Sequence, residues 1–281
     1  MEAPVHAQAA EESVHVETKA TVHAPTLASE TVGHIGGFEI RNTMIMAWLA
    51  MLVLLAVGLM LRRTKYKLVP GRFQAFMEVL IEGLFDFFDS IVQDRSQTRK
   101  FFPLVATILI FLTLANWMGI FPGVGSITIK GMHDGHLMDI PIFRSMNADV
   151  NMTLAIAMIS VIATQVFGIA ALGILPYAGK FFVPPWKDPV GSFVGILELV
   201  AEFAKIISFT FRLFGNIFAG EVLLVVISFL MPYVAPLPFL GLELFVGLVQ
   251  GFVFALLTIV FLKMAVTGHG DDHEHGEIAH V

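Results

Sequence analysis

Long apolar runs separated by short polar stretches divide this chain. Thr43 to Leu61, Phe102 to Phe121 and Val150 to Tyr177 contain no charged residue. Val190 to Met231 is longer and holds Glu198, Glu202, Lys205, Arg212 and Glu221; Leu237 to Leu262 holds only Glu243. A bilayer core of about 30 Å is crossed by about 20 apolar helical residues, so the pattern predicts five spans. Between the first two lies Pro70 to Gln93. There Phe73, Phe76, Met77, Leu80, Leu84, Phe87, Phe88 and Ile91 recur at helical spacing, with Glu78, Glu82, Asp86 and Asp89 among them. That is the signature of an amphipathic helix at the membrane surface. The expected fold is an all-α polytopic membrane protein with five spans, one interfacial helix, and a long, steeply tilted final pair.

The fourth run gives the reason for the tilt. A continuous helix of about 40 residues measures roughly 60 Å, about twice the hydrocarbon thickness. It either inclines steeply or breaks near Gly215 or Gly220. Inclination is preferred, because glycine inside a helix is tolerated where another surface approaches closely. At about 100° per residue, Glu198, Glu202, Lys205, Phe209, Arg212 and Asn216 share one face, and Glu221 points nearly opposite Arg212. On the last run Glu243, Gly247 and Gln250 share a face. A Pro-rich turn, Pro232 to Pro238, joins the two antiparallel helices. This sets Arg212 level with Gln250 and Glu221 level with Glu243, and puts Glu198 toward the other end, near Lys263. Asn116, Asp149 and Asn151 fall at the depth of Glu221 and Glu243, and Gln165 near mid-depth.

A charge at the bilayer centre costs about 2.5–3.5 kcal/mol on insertion scales. Arginine cannot shed its proton, whereas burial favours the neutral form of a carboxyl. Arg212 is therefore a fixed cation, and Glu221 and Glu243 are candidates to shuttle a proton. No acid of this chain is expected level with Arg212, so its partner has to come from a second protein.

Composition agrees with the pattern. Of 281 residues, 56% are hydrophobic and only 14% charged, a membrane balance rather than that of a soluble domain. There is no cysteine, which excludes disulfides and thiolate metal sites. The net charge of −6 is carried largely by the tails and there is no basic run, so no nucleic-acid partner is indicated. Residues 1–38 form a polar tail with His6, His15, His23 and His34 and no apolar signal-peptide core. Those histidines lack metal-ligand spacing, so the tail reads as disordered. Residues 39–266 form the membrane domain, and 267–281 an acidic, His-rich tail. No metal or cofactor is expected. All ten histidines lie outside the apolar runs, so an intramembrane relay must use carboxyls, amides and water. Lys and Arg orient the spans. Arg62, Arg63, Lys65, Lys67, Arg95, Arg99, Lys100, Lys180, Lys187 and Lys263 fall on one side. The loop from Pro122 to Asp149 holds only Lys130 and Arg144, offset by Asp134, Asp139 and Asp149. The N-terminus is expected outside and the C-terminus inside.

The run Ser208-Phe-Thr-Phe-Arg212-Leu-Phe-Gly-Asn216-Ile-Phe-Ala-Gly-Glu221 resembles the signature of subunit a of F-type ATP synthases. Val69-Pro-Gly-Arg-Phe-Gln-Ala-Phe-Met-Glu78 is similar to the start of that family's membrane-surface helix. Asn147-Ala-Asp-Val-Asn151-Met-Thr and Gln250 with its following Phe-x-Phe-x-x-Leu-Thr resemble two further segments. The resemblance spans about residues 40 to 266. It implies a stator subunit beside a rotating ring of c subunits, each with a buried carboxyl, with b-type peripheral stalk subunits and lipid as further neighbours and H+ as the ion. By the same resemblance, Arg212 separates two half-channels, Glu221 lies on the outer one, and Glu198 and Lys205 lie toward the inside. Glu243 stands where some members have histidine, so both carboxyls stay candidates for proton uptake. Asn216 and Gln250 complete the implied path. The implied location is a bacterial inner membrane, and the ATP chemistry would belong to other subunits. A lone secondary cation transporter is the competing reading. It needs its own midplane acid, and often internal repeats; neither is evident.

Overall fold

Charge-free stretches form helices here because a membrane leaves backbone polar groups no partner but each other. The computed structural model describes residues 29–63, 71–125, 127–133, 136–181, 186 and 189–267. In chain order the elements are β1 (Thr31–Ile35), β2 (Phe38–Arg41), α1 (Asn42–Arg63), α2 (Arg72–Val92) and α3 (Arg95–Ile120). Then come β3 (Pro122–Gly125), β4 (Thr128–His133), β5 (His136–Pro141) and a 3-10 turn (Met146–Ala148). The rest are α4 (Val150–Leu172), α5 (Ile174–Phe181), α6 (Pro189–Leu230) and α7 (Pro236–Val266). Among the described residues five helices, α1, α3, α4, α6 and α7, are long and apolar enough to cross a membrane. The all-α polytopic expectation holds. The additions are two short antiparallel hairpins, β1–β2 and β4–β5, both at the same end of the bundle.

Local chemistry sets the helix ends. The Asp94 side chain caps α3 by accepting from the amides of Ser96 (2.8 Å) and Gln97 (3.2 Å). Asp149 caps α4 through the Asn151 amide. Proline opens α7, where its missing N–H has no helical partner to lose. Gly173, at φ 86°, ends α4. The third span therefore stops five residues before Tyr177, which instead lies on the short helix α5. By contrast α6 runs unbroken for 42 residues through Gly215 and Gly220. At about 63 Å it exceeds the hydrocarbon core, so an inclined course is the way to keep its apolar length in lipid.

Contacts at the helix ends show alternating directions. Thr43, opening α1, donates to Asp149, before α4. Asn116, near the end of α3, donates to the Gly247 carbonyl in the first half of α7. At the opposite end, Lys263 of α7 donates to the Ile91 carbonyl of α2 at 3.1 Å. α3 and α7 pack most intimately, because Gly247 and Gly251 leave no side chain between them. A Cβ on Gly251 would stand 2.6 Å from Thr113 Oγ1. Small residues serve membrane helices in this way. Phe88, Val92, Phe101, Val105, Ile259 and Leu262 form the core at the α2 end, so α2 is anchored by its last turns. Phe73, Phe76 and Leu80 at its start are exposed, as a surface-lying helix requires.

The stretch read as a polar tail divides. Residues 29–38 carry β1 and the start of β2, with Ser29 donating to Asp149. Residues 1–28 and 268–281, with the histidines at 6, 15 and 23, lie outside the described residues, as do Lys65, Lys67 and Lys187.

Candidate functional site

Four elements bring polar side chains to a cavity of about 200 Å³ at the hairpin end. α3 supplies Asn116, the segment before α4 supplies Arg144 and Ser145, α6 supplies Glu221, and α7 supplies Glu243. Arg144 donates from Nε to Glu221 Oε1 at 3.1 Å and from Nη2 to Oε2 at 3.2 Å. This is the two-point geometry in which guanidinium and carboxylate bind best. The Arg144 side chain is 5% exposed, so it has little water to turn to. The same segment is tied down by Asn147, which donates to Asn116 Oδ1, while Asn116 donates to the Gly247 carbonyl at 2.9 Å. Ser145 lies so near Gly119 that a Cβ there would meet its own Cβ at 2.7 Å.

Glu243 is placed differently. Gly220 makes room for it: a Cβ on that glycine would stand 2.8 Å from Glu243 Oε1. Glu243 Oε2 and Ser145 Oγ are buried without a hydrogen-bond partner among the described residues. Burying such atoms dry is costly, and a cavity of this size holds several waters at about 30 Å³ each. A second cavity, about 210 Å³ between α6 and α7, is lined by Asn216, Gly220, Leu242 and Glu243. Glu243 thus borders both spaces, and Asn216 is one helical turn from Arg212.

Below these cavities the bundle closes. Phe209 stacks on Phe254 with ring centroids 4.5 Å apart, and buried Leu213, Leu112, Ile108 and Val161 complete the plug. Arg212 lies on the outer surface at this level. It is exposed, among exposed Phe203, Ile207 and Phe211. Its Nη2 donates to Ser208 Oγ at 3.3 Å, and its guanidinium stands 6.0 Å from the Phe209 ring centre. Among the described residues no carboxylate pairs with it. The Phe209–Phe254 stack and the Gly220–Glu243 contact fix the register that sets Gln250 level with Arg212. Gln250 is buried, and its Nε2 has no partner among the described residues.

A third cavity, about 390 Å³, opens at the α2 end and is lined by Tyr177, Lys180, Glu198, Glu202 and Lys205. Lys180 pairs with Glu198 and Lys205 with Glu202, each at 2.6 Å. Gln165 donates to Glu202 Oε2 at 2.9 Å and accepts from the Tyr177 hydroxyl at 2.6 Å. Burial, with Glu202 and then Glu198 adding, pushes the Tyr177 phenol up to about 12. It therefore stays protonated and keeps donating at neutral pH. α5 reaches α6 at Gly195, where a Cβ would meet the Phe181 carbonyl at 2.6 Å.

Two placements differ from the sequence reading. Glu198 meets Lys180 rather than Lys263, because α5 folds back against α6 while Lys263 caps a carbonyl of α2. Gln165, expected near mid-depth, joins the α2-end cluster. Asp149 caps α4 and holds Ser29 and Thr43. Asn151 is exposed. Neither lines the Glu221 cavity. Arg144, Lys180 and Tyr177 are the site residues that sequence reasoning missed. Arg144 and Lys180 counted only as loop charges. The one available signal was Arg144's position just before the Asn147-Ala-Asp motif. Among the described residues no cluster of His, Asp or Glu suits a metal ion.

The family model described as ATP synthase A chain matches residues 44–263. Three relatives bear the name ATP synthase subunit a. That of Syntrophobacter fumaroxidans is 33% identical over 88% of this chain and 91% of its own length. That of Moorella thermoacetica is 30% identical over 84% and 95%. That of Desulfotalea psychrophila is 35% identical over 83% and 85%.

Proposed function

The chain belongs to the ATP synthase A chain family, and on that premise we propose that it is the non-catalytic stator half of the ion motor, carrying two offset proton half-channels beside a rotating c-ring. It is an integral, multi-pass membrane protein that serves proton translocation in ATP synthesis. In the proposed path the hairpin end faces outside. A proton reaches Glu243 through the hydrated cavity it shares with Glu221, then passes Asn216 to a ring carboxyl near Arg212. After rotation the proton leaves through the α2-end cavity, past Glu198 and Glu202. Gln250 lies level with the arginine and supplies an amide there. Each charge crossing 100 mV contributes about 2.3 kcal/mol, so several must cross per ATP.

The observation that carries this reading is the state of Arg212. It is a permanent cation on an apolar outer surface, with no carboxylate paired to it among the described residues, at the level where an aromatic and aliphatic cluster lies between the two polar regions. Such a charge in lipid is costly unless paired. An ionised ring carboxyl arriving from outside the chain supplies the pair, and the same cation repels protons that would leak between the half-channels. The exposed apolar stripe of Phe203, Ile207 and Phe211 fits the curved wall of a helical ring. The N-terminus is then outside and the C-terminus cytoplasmic in a bacterial inner membrane, with the residues before about 39 and after 266 flanking the membrane domain and b-type stalk subunits on another face.

Replacing Arg212 with Ala tests this directly. ATP-driven proton pumping in inverted vesicles is expected to vanish, with ATP hydrolysis persisting uncoupled. Pumping at the parental rate would sink the proposal.

A further inference from the structure

Two carboxyls share the hairpin-end cavity, and their partners differ. Both oxygens of Glu221 accept from the buried Arg144. Glu243 has no ion pair among the described residues, one of its oxygens is buried without a partner, and it alone of the two also borders the Asn216 cavity. We infer that Arg144 withdraws Glu221 from proton exchange: the two form a fixed neutral pair in the cavity wall, and Glu243 is the group that takes up the proton there and hands it on.

Arg144 is well suited to hold such a pair. Residues 144–149 are all buried. The Asn147–Asn116–Gly247 chain and the Ser145–Gly119 contact fix the segment against α3 and α7. A buried guanidinium cannot lose its proton. Losing Glu221 would take its two-point carboxylate from a buried guanidinium, and breaking such a buried pair costs more than keeping it intact. Protonating Glu221 would break the same pair. The charged groups that face Glu243 here are Glu221 from α6 and Arg144 from the segment before α4; Asn116 from α3 faces it as a neutral amide. Arg144 is thus a positioning residue: it acts on the path through Glu221.

This inference rests on the proposed half-channel. Its test compares pumping in vesicles by the assembled enzyme carrying Arg144→Gln, Glu221→Gln, both together, or Arg144→Lys. Each neutralising single variant breaks the pair, leaving either the buried Arg144 or the part-exposed Glu221 without the other, and is expected to slow pumping ~10-fold, whereas the double variant pumps at least ~5-fold faster than either single. Arg144→Lys keeps the charge but not the two-point grip, and falls between. Glu243→Gln stops pumping in both the parental and the double-variant background. A double variant as slow as the product of its singles, or Glu243→Gln pumping normally, overturns the inference. A second measurement needs no variant. Dicyclohexylcarbodiimide adds to protonated carboxyls and spares carboxylates. Peptide mass spectrometry of the treated complex should find the adduct on Glu243 and none on Glu221. An adduct on Glu221, or an unmarked Glu243 beside a marked ring carboxyl, counts against it. Should Arg212→Ala also pump, the half-channel reading itself fails. Should pumping need Arg212 while the pair behaves additively, only the present inference fails.

Discussion

At the scale of single residues, the molecule separates charges paired within the bundle from charges that are not. Arg144 with Glu221, Lys180 with Glu198 and Lys205 with Glu202 are internally compensated. Arg212 and Glu243 have no such counter-charge among the described residues. Uncompensated groups at membrane depth are expensive, and function is the physical reason to keep them. Glycine 220 offers a narrow probe. The nearest atoms a Cβ there would meet belong to the Glu243 side chain, its Oε1 at 2.8 Å first. Gly220→Ala should therefore displace the carboxyl while leaving assembly intact. Pumping is expected to fall ~10-fold, within the ~100-fold that a 1 Å misplacement can cost a reacting group, with unchanged yield of assembled complex. Depth predicts a second contrast. Glu243→Leu should slow proton uptake driven from outside more than Glu198→Leu does. Fluorescent pH-dye quenching in oriented vesicles reads this, and the reverse order would contradict the orientation proposed here.

At the scale of elements, α6 and α3 are opposites. The most apolar window of α3 is 44% buried and that of α6 only 17%, so α3 serves as the internal post and α6 presents surface. Glycine spacing makes α3 and α7 one unit. Gly251→Leu would drive its side chain into Thr113 and the Leu109 carbonyl, and overpacking of that kind costs about 1–3 kcal/mol. A lower thermal midpoint or reduced assembly is expected. Gly241→Ala faces open space and should change neither. The element boundaries visible in the sequence were the chemically marked ones. Charge-free runs and the Pro-rich turn located the spans, and the Phe and acid periodicity located α2. The hairpins at residues 31–41 and 128–141 were not legible. Short polar strands carry no long period, and their pairing is a property of two segments together.

At the scale of the whole molecule, the surface is unfinished. The side of α6 bearing Arg212 leaves large apolar residues exposed, and a cation in their midst asks for a partner chain. The chain has no cysteine, so single introduced cysteines report cleanly. Ser208→Cys and Phe211→Cys should crosslink to a cysteine-bearing c subunit, and Ala115→Cys, buried on α3, should not. Failure at both α6 positions with success at α3 would reverse the assignment of faces.

What the sequence by itself determined was the one-dimensional part: which runs are long and apolar enough to span, that they alternate in direction, and that Arg212 has no acid of the described residues paired to it. Hydrophobic length and helical phase need only neighbours along the chain. The antiparallel register of α6 and α7 also followed, because a short turn ties two helices of known phase. Tertiary structure decided everything that depends on who meets whom across separate elements. It turned Arg144 from a loop charge into the partner of Glu221. It folded α5 back so that Lys180, not Lys263, meets Glu198. It divided the polar side chains among three cavities, two toward the hairpin end and one at the α2 end, with an aromatic plug between the two ends. Those outcomes rest on close packing between helices far apart in sequence, and no periodicity along one chain encodes a contact of that kind.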